Sequence, residues 1–312
     1  TQQMSQVKEF SIGIVGAGIS GMALAAILGR SCPEFSIAVF ERDIQTRDQG
    51  TGFDIRGKAQ EALKKAGIFE KYHTFSREGS DIMRIYKPKG DKEKFVLTTP
   101  VLLRKIIPPS PESNRLLLRD ALIESLGDNG TIQFQCKVSS VRQKGKKVEL
   151  IDENNQVLGC FDFIVDASGF SSPLRQLRIK EEDDETRFNK YYTGITMIHG
   201  LIRDPELSCH PKIVKKLGQG TMLCFDGGRG FCFQRYGAAV DDHRASVYYM
   251  IPCSTISEMA ENFDLPRSTR FSEDPIVLEK VKKWIIDDMG DDFSEDIHSA
   301  IHSMEKNCNS PF

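Results

Sequence analysis

The stretch Phe10-Ser11-Ile12-Gly13-Ile14-Val15-Gly16-Ala17-Gly18-Ile19-Ser20-Gly21, continuing into Met22-Ala23-Leu24-Ala25-Ala26-Ile27-Leu28, decides the reading of the fold. Its first six residues are short, apolar and β-branched, as a parallel strand buried on both faces requires. Glycines follow at once, and from Ser20 the composition and spacing turn helical. Ser36-Ile37-Ala38-Val39-Phe40 is a second apolar strand, which completes a βαβ unit. In that setting each glycine has its own task. Gly16 allows a tight turn, Gly18 lets a diphosphate approach the backbone, and Gly21 lets helix and strand pack closely. The helix start, with Ser20 in its first turn, adds unpaired N–H groups and partial positive charge. The second strand ends in Glu41, placed to accept hydrogen bonds from an adenosine ribose. A carboxylate there repels a 2′-phosphate, so NAD or FAD is favoured over bound NADP.

The surrounding composition is that of a soluble globular chain. The 312 residues, 39% apolar and 28% charged, suit about two domains, and no apolar run nears the ~18 residues that cross a bilayer. Forty-two basic against forty-four acidic side chains leave a formal charge of −2, so no global field draws in nucleic acid. The eight cysteines are scattered without a Cys-x-x-Cys pair and read as reduced thiols. The polar start at Thr1 lacks the basic and apolar regions of a secretory signal, which makes the cytoplasm the expected compartment.

Further along, Gly57–Gly67 reads as a short helix and Asp81–Thr99 as an antiparallel hairpin around Lys87-Pro88-Lys89-Gly90. Arg115–Leu126 carries a helical stripe of Leu116, Leu118, Leu122, Ile123 and Leu126. Thr131–Val165 reads as a meander ending in the strand Phe161–Val165, and a second glycine turn follows at Ser168-Gly169. The charge run Lys180–Glu185 marks a domain boundary. Tyr191–Pro252 reads as a second, antiparallel sheet, and helices start at Pro275 and about Phe293. The expected fold is α/β: a Rossmann-like domain with a parallel sheet and β-meander, residues 1–78, 112–180 and 272–312, and a second domain with a mainly antiparallel sheet, residues 79–111 and 181–271.

Several stretches together resemble the class A FAD-dependent monooxygenases, the group of para-hydroxybenzoate hydroxylase. The branch this chain looks most like is the tetracycline-inactivating monooxygenases. Val39-Phe40-Glu41-Arg42 is similar to that family's second-strand signature. Gly52-Phe53-Asp54-Ile55 with Gln60–Gly67 resembles the segment after it, which implies that Asp54 approaches the flavin. Arg115 and Arg119, four apart, resemble the family's arginine-bearing helix. On residues alone they read as surface or ion-pair arginines, whereas the resemblance makes Arg115 a cofactor contact. Ser168-Gly169-Phe170-Ser171-Ser172-Pro173-Leu174-Arg175 resembles the Asp-Gly-x-x-Ser-x-x-Arg segment, with Ser168 where the family usually has Asp and with Asp166 two positions earlier. The family's Gly-Asp-Ala-Ala-His-type segment has no counterpart in the chain.

The resemblance implies FAD held by Gly16, Gly18, Ser20, Gly21, Glu41, Arg42, Asp54, Arg115, Ser168 and Gly169, with NADPH or NADH as transient electron donor. It also implies O2 and a small, largely apolar aromatic or polycyclic substrate to be hydroxylated. No catalytic side chain is assigned, because the bond-making belongs to the cofactor. Met222, Phe225, Phe231, Phe233, Tyr248, Tyr249 and Met250 either line the substrate pocket or pack the core. Two alternatives stay open. One is a truncated or repurposed homologue without redox turnover, a binding protein or isomerase/cyclase. The other, an NAD-dependent dehydrogenase, is disfavoured by the Glu-Arg strand end. His298 and His302 lack a third ligand, so no metal is expected.

Overall fold

The computed structural model describes residues 10–45, 52–77, 79–89, 93–97, 110–170, 172–175, 177, 191–235, 244–252, 261 and 274–305. Their order begins β1 (Phe10–Val15), α1 (Ile19–Ser31), β2 (Phe35–Phe40), β3 (Phe53–Asp54), α2 (Lys58–Lys65), α3 (Phe69–Thr74), β4 (Ser76–Arg77), β5 (Met83–Tyr86), β6 (Glu93–Leu97), β7 (Glu112–Ser113) and α4 (Arg115–Glu124). It continues with β8 (Gly130–Gln133), β9 (Val138–Lys144), β10 (Lys147–Asp152), β11 (Val157–Phe161), β12 (Phe163–Asp166), β13 (Ile195–Ile202), α5 (Pro205–Ser208) and α6 (Pro211–Leu217). The last elements are β14 (Thr221–Asp226), β15 (Arg229–Arg235), β16 (Ala245–Pro252), α7 (Pro275–Met289) and α8 (Glu295–His302). The charge run at 180–185 lies outside the described residues. The chain forms two compact units, 1–47, 56–74 and 115–191 against 48–55, 75–114 and 192–312.

The first unit is built on a parallel sheet of order β12-β1-β2-β8, in which Ile14 pairs with Val39 on one side and Val165 on the other. Continuous apolar sequence in β1 and β2 fits strands covered on both faces, and Ile12, Ile14, Ile37, Val39 and Phe40 are buried. Two details differ from the sequence reading. Residues 130–133 extend the parallel sheet as β8 instead of starting the meander, which is the three strands β9, β10 and β11. The expected strand 161–165 is broken at Asp162, whose carboxylate accepts the Ser11 N–H at 2.9 Å and the Ser11 hydroxyl at 2.7 Å. Phe161 thereby closes the meander over a core of Val15, Phe40, Val138 and Leu150, while Phe163 begins the next parallel strand.

The second unit contains a six-stranded sheet of order β13-β16-β15-β14-β5-β6, antiparallel except where β5 runs parallel to β14. Side chains alternate across it with the strand period of two. Ile198, Met222, Phe231, Phe233, Val247 and Tyr249 face one core, filled from the other side by Ile213, Leu217, Val281, Ile285, Ile297 and Ile301 of α6, α7 and α8. The C-terminal helices therefore pack with the second sheet, whereas the sequence reading places 272–312 with the first domain. Leu278, Val281, Ile285 and Met289 form the apolar stripe of α7, and this core is where that stripe is removed from water. A small sheet of order β3-β7-β4 completes the unit.

Inside this helical layer the Lys216 ammonium lies 2.8 Å from Asp296, both side chains under one tenth exposed. Removing one partner leaves an uncompensated buried charge. Asp296→Ala is expected to lower the unfolding free energy by about 3–5 kcal/mol, measured by denaturant titration, and replacing both residues with apolar side chains to cost much less.

Candidate functional site

The loop between β1 and α1 is held from three directions. The Gly16 N–H donates to the Phe40 carbonyl at 2.8 Å, and the Ala17 N–H donates to Glu41 Oε2 at 2.7 Å. Gly16 has φ +107°, and a Cβ on it would lie 2.5 Å from the Ala167 carbonyl oxygen. A Cβ on Gly21 would run into the Gly16 carbonyl oxygen, so the helix sits directly on the turn. Gly18 is the opposite case, with nothing within 4 Å of the position its Cβ would take. As N-cap of α1 it carries no side chain to accept the first N–H groups, and no acidic residue stands in the first turn. The loop is packed on its inner side and open at the helix N-terminus, where an anion is favoured.

Glu41 is buried and its carboxylate already serves the backbone, Oε2 taking the Ala17 N–H and Oε1 the Asp43 N–H at 3.0 Å. Each oxygen keeps a further lone pair for a hydroxyl donor. Arg42 points outward, 3.6 Å from Asp43. The two arginines of α4 differ sharply. Arg115 is exposed at the first helical position, whereas Arg119 is fully buried, donates through Nη2 to the Gln45 carbonyl, and feels Asp120, Glu41 and Asp43. Burial pulls the Arg119 guanidinium below its ordinary value, and its Nε and Nη1 have no hydrogen-bond partner among the described residues. A helical i, i+4 spacing puts both arginines on one face but says nothing of depth, so sequence reasoning could not separate them.

The second glycine turn meets the first. Asp166, at the end of β12, accepts the Ser168 N–H at 3.0 Å and the hydroxyls of Ser168 and Ser172. Ser168 is therefore turned back onto Asp166. Gly169, φ +84°, carries the chain around. A cleft of about 670 Å³ is lined here by Ser20, Leu24, Asp166, Gly169, Leu174 and Arg175 among others. Ser20 and Gly169, both expected from the sequence, share this cleft; Leu24 and Leu174, which also line it, are helical apolar residues of a kind that carries no binding signal in the sequence.

Asp54 belongs to the second unit, on β3, directly opposite Glu112 of β7. In that unit the seven aromatic and methionine side chains divide by strand alternation. Met222, Phe231, Phe233 and Tyr249 are core, while Phe225, Tyr248 and Met250 occupy the other face of the sheet. Met197, His199, Cys232 and Gln234 share that face. His199 stacks on Tyr248 with ring centroids 4.6 Å apart, and burial pushes its imidazole down to about 4, so it is neutral near pH 7. Burial likewise pushes the Cys224 and Cys232 thiols up to about 12, which makes them unreactive. Cys253 and Cys308 lie outside the described residues. Among the described residues no three His, Cys, Asp or Glu side chains gather as a metal site, and no helix is long and apolar enough to cross a membrane.

No family model matches the chain. Salicylate hydroxylase of Pseudomonas putida is 29% identical over 170 residues, 53% of this chain and 37% of that protein. An uncharacterized protein of Mycobacterium tuberculosis is 27% identical over 189 residues, 55% of this chain and 45% of that protein. The matched stretch thus spans under half the length of these relatives. Among solved structures, 2,6-dihydroxypyridine-3-hydroxylase from Arthrobacter nicotinovorans aligns at TM-score 0.71 and 12% identity over 95% of this chain and 70% of that one. HpxO of Klebsiella pneumoniae, complexed with FAD and uric acid, aligns at 0.68 and 15% over 98% and 68%. The tetracycline destructase Tet(51) aligns at 0.53 and 17% over 92% and 64%. The chain therefore has the fold of FAD-dependent monooxygenases, the family its motifs resemble.

The two helix-proximal glycines give separable expectations. Gly21→Ala forces a methyl into the Gly16 carbonyl and should cost about 2–4 kcal/mol of stability. Gly18→Ala has room and an extended backbone, φ −72° and ψ 178°, so stability should stay within about 0.5 kcal/mol. Calorimetric titration with ADP asks whether a diphosphate uses that space: at least about tenfold weaker binding for Gly18→Ala is the outcome expected of a diphosphate seated there, and unchanged binding speaks against it.

Proposed function

We propose that this chain binds FAD through the Gly16–Gly21 loop and takes part in hydroxylating a small aromatic or largely apolar organic compound, with NADPH or NADH and O2 as co-substrates. The observation that carries the reading is the asymmetry of that loop: closed against Phe40, Glu41 and Ala167, open at Gly18 over the start of α1. These residues fit an adenine dinucleotide. The first N–H groups of α1 would hold the diphosphate, and the spare lone pairs of Glu41 would take the ribose hydroxyls. Gly16, Ser20, Gly21, Arg42, Asp54, Arg115, Ser168 and Gly169 complete the proposed set. When bound, the flavin supplies electron transfer and oxygen activation; the chain supplies binding, orientation and exclusion of water.

The face of the second sheet carrying Phe225, Tyr248, Met250 and neutral His199 is the proposed surface for the substrate. Flat rings and soft thioethers suit an aromatic guest. The named activities of salicylate hydroxylase and 2,6-dihydroxypyridine-3-hydroxylase, and the uric acid bound to HpxO, favour the same substrate class.

Recognition through the adenosine diphosphate half has a direct consequence for competition. FAD fluorescence should be quenched on titrating the purified chain, ADP should reverse the quenching, and riboflavin, which lacks diphosphate and adenosine, should not compete. Riboflavin binding without ADP binding would reject the assignment. With FAD loaded, oxygen uptake and NAD(P)H oxidation on adding phenolic or heteroaromatic compounds test turnover.

A further inference from the structure

In the small sheet of the second unit, pairing register sets three charged residues in one row. Asp54 of β3 and Arg77 of β4 each stand directly opposite Glu112 of the central strand β7. Directly opposed residues share a face, so two carboxylates and one guanidinium lie side by side. Glu112 is 3% exposed and lies 2.8 Å from Arg77 Nη2, which also donates to the Arg235 carbonyl. The Glu112 N–H donates to the Ser80 hydroxyl at 2.5 Å. Gly52, just before β3, leaves the space its carboxylate occupies: a Cβ there would strike Glu112 Oε1 and come within 2.8 Å of the Ser113 carbonyl oxygen. The strand carrying Asp54 is thus laid against the Glu112 carboxyl group itself.

We propose that Glu112 is a proton-operated latch for β3 and the Gly52 that precedes it. Protonated, it sits neutral between Asp54 and Arg77, against the Gly52 backbone. Ionised, it puts two like charges across adjacent strands against a single guanidinium of the row. The strand is held by two pairs, Phe53 with Ser113 and Asp54 with Glu112, so repulsion at one pair weakens half of its ladder.

The groups facing Glu112 agree with this direction. Burial raises its proton affinity most, Arg77 lowers it, Asp54 raises it, and the Gln234 side chain of β15 lowers it by hydrogen bonding. The net result is a carboxyl pushed up to about 7. Cys232 of β15 also faces it and is un-ionised at this pH. A carboxyl whose proton affinity is higher in the folded state stabilises fully below its unfolded value, near 4.5, and loses that contribution as pH rises through about 7. The bearing on cofactor binding, through Asp54, rests on the function proposed above; the latch itself does not.

Carbon-13 carboxyl titration of the full chain, labelled at glutamate, should show one carboxyl with a midpoint near 7 that vanishes in Glu112→Gln and moves down in Asp54→Asn. Hydrogen exchange of peptides spanning 52–55, corrected for intrinsic rates, should show wild-type protection falling by about tenfold between about pH 6 and about pH 8.5, and Glu112→Gln keeping it. Titration of every glutamate below about 5.5, or equal loss of protection in wild type and Glu112→Gln, overturns the latch. Should Glu112→Gln fail to fold, Asp54→Asn alone decides: a lowered midpoint supports the coupling and an unmoved one overturns it. None of these measurements uses flavin, so a chain that binds no FAD still gives an answer.

Discussion

The turn at Gly16 is the contact on which the first unit depends. Val15 accepts the Ala167 N–H at 2.8 Å, Gly16 donates to Phe40, and Ala17 donates to Glu41, so the end of each neighbouring strand is tied to this one turn. Three strand ends can converge only if the turn has no side chain on its inner surface, and α1 can begin above it only if Gly21 has none. The same closeness leaves the N-terminus of α1 presented outward at Gly18. Packing and exposure are thus two sides of one constraint: what closes the inner surface leaves the helix dipole open on the outer.

Glu41 joins the two roles. A buried carboxylate is costly unless hydrogen-bonded, and here two backbone N–H groups satisfy it before any ligand arrives. Its position is therefore fixed by the fold, and a ribose would meet a preorganised acceptor. Arg119, fully buried on α4, feels the charges of Asp120, Glu41 and Asp43. The second unit follows another rule. Its sheet has one face sealed by three helices and another lined with aromatic, thioether and amide side chains, and strand alternation alone decides which residue goes where.

Much of this was legible in the sequence because it depends on short-range pattern. The strand of Phe10–Val15, the helix that follows and the second strand appear where apolar runs and glycines place them. The hairpin of β5 and β6 and the second sheet also follow from local turns and alternation. Tertiary partners were less accessible. The stripe on α7 signals burial but not against which sheet, so the terminal helices were assigned to the wrong neighbour. The break at Asp162 depends on Ser11, 151 residues away, and no local pattern encodes it. Helix α3 was not expected; within it Tyr72 is buried and the rings of Phe69, Tyr72 and His73 lie against one another. Glu112 carried no signal, since glutamate is ordinarily a surface residue and only its cross-strand neighbours make it otherwise.

The open side of the Gly16–Gly21 turn is the place proposed for the diphosphate of an adenine dinucleotide. A crystal structure of the chain with FAD tests it most directly. Density for the diphosphate is expected against the first N–H groups of α1 beside Gly18, with ribose hydroxyls on Glu41. FAD bound away from this turn, or crystals grown in saturating FAD with the turn bare, would contradict it.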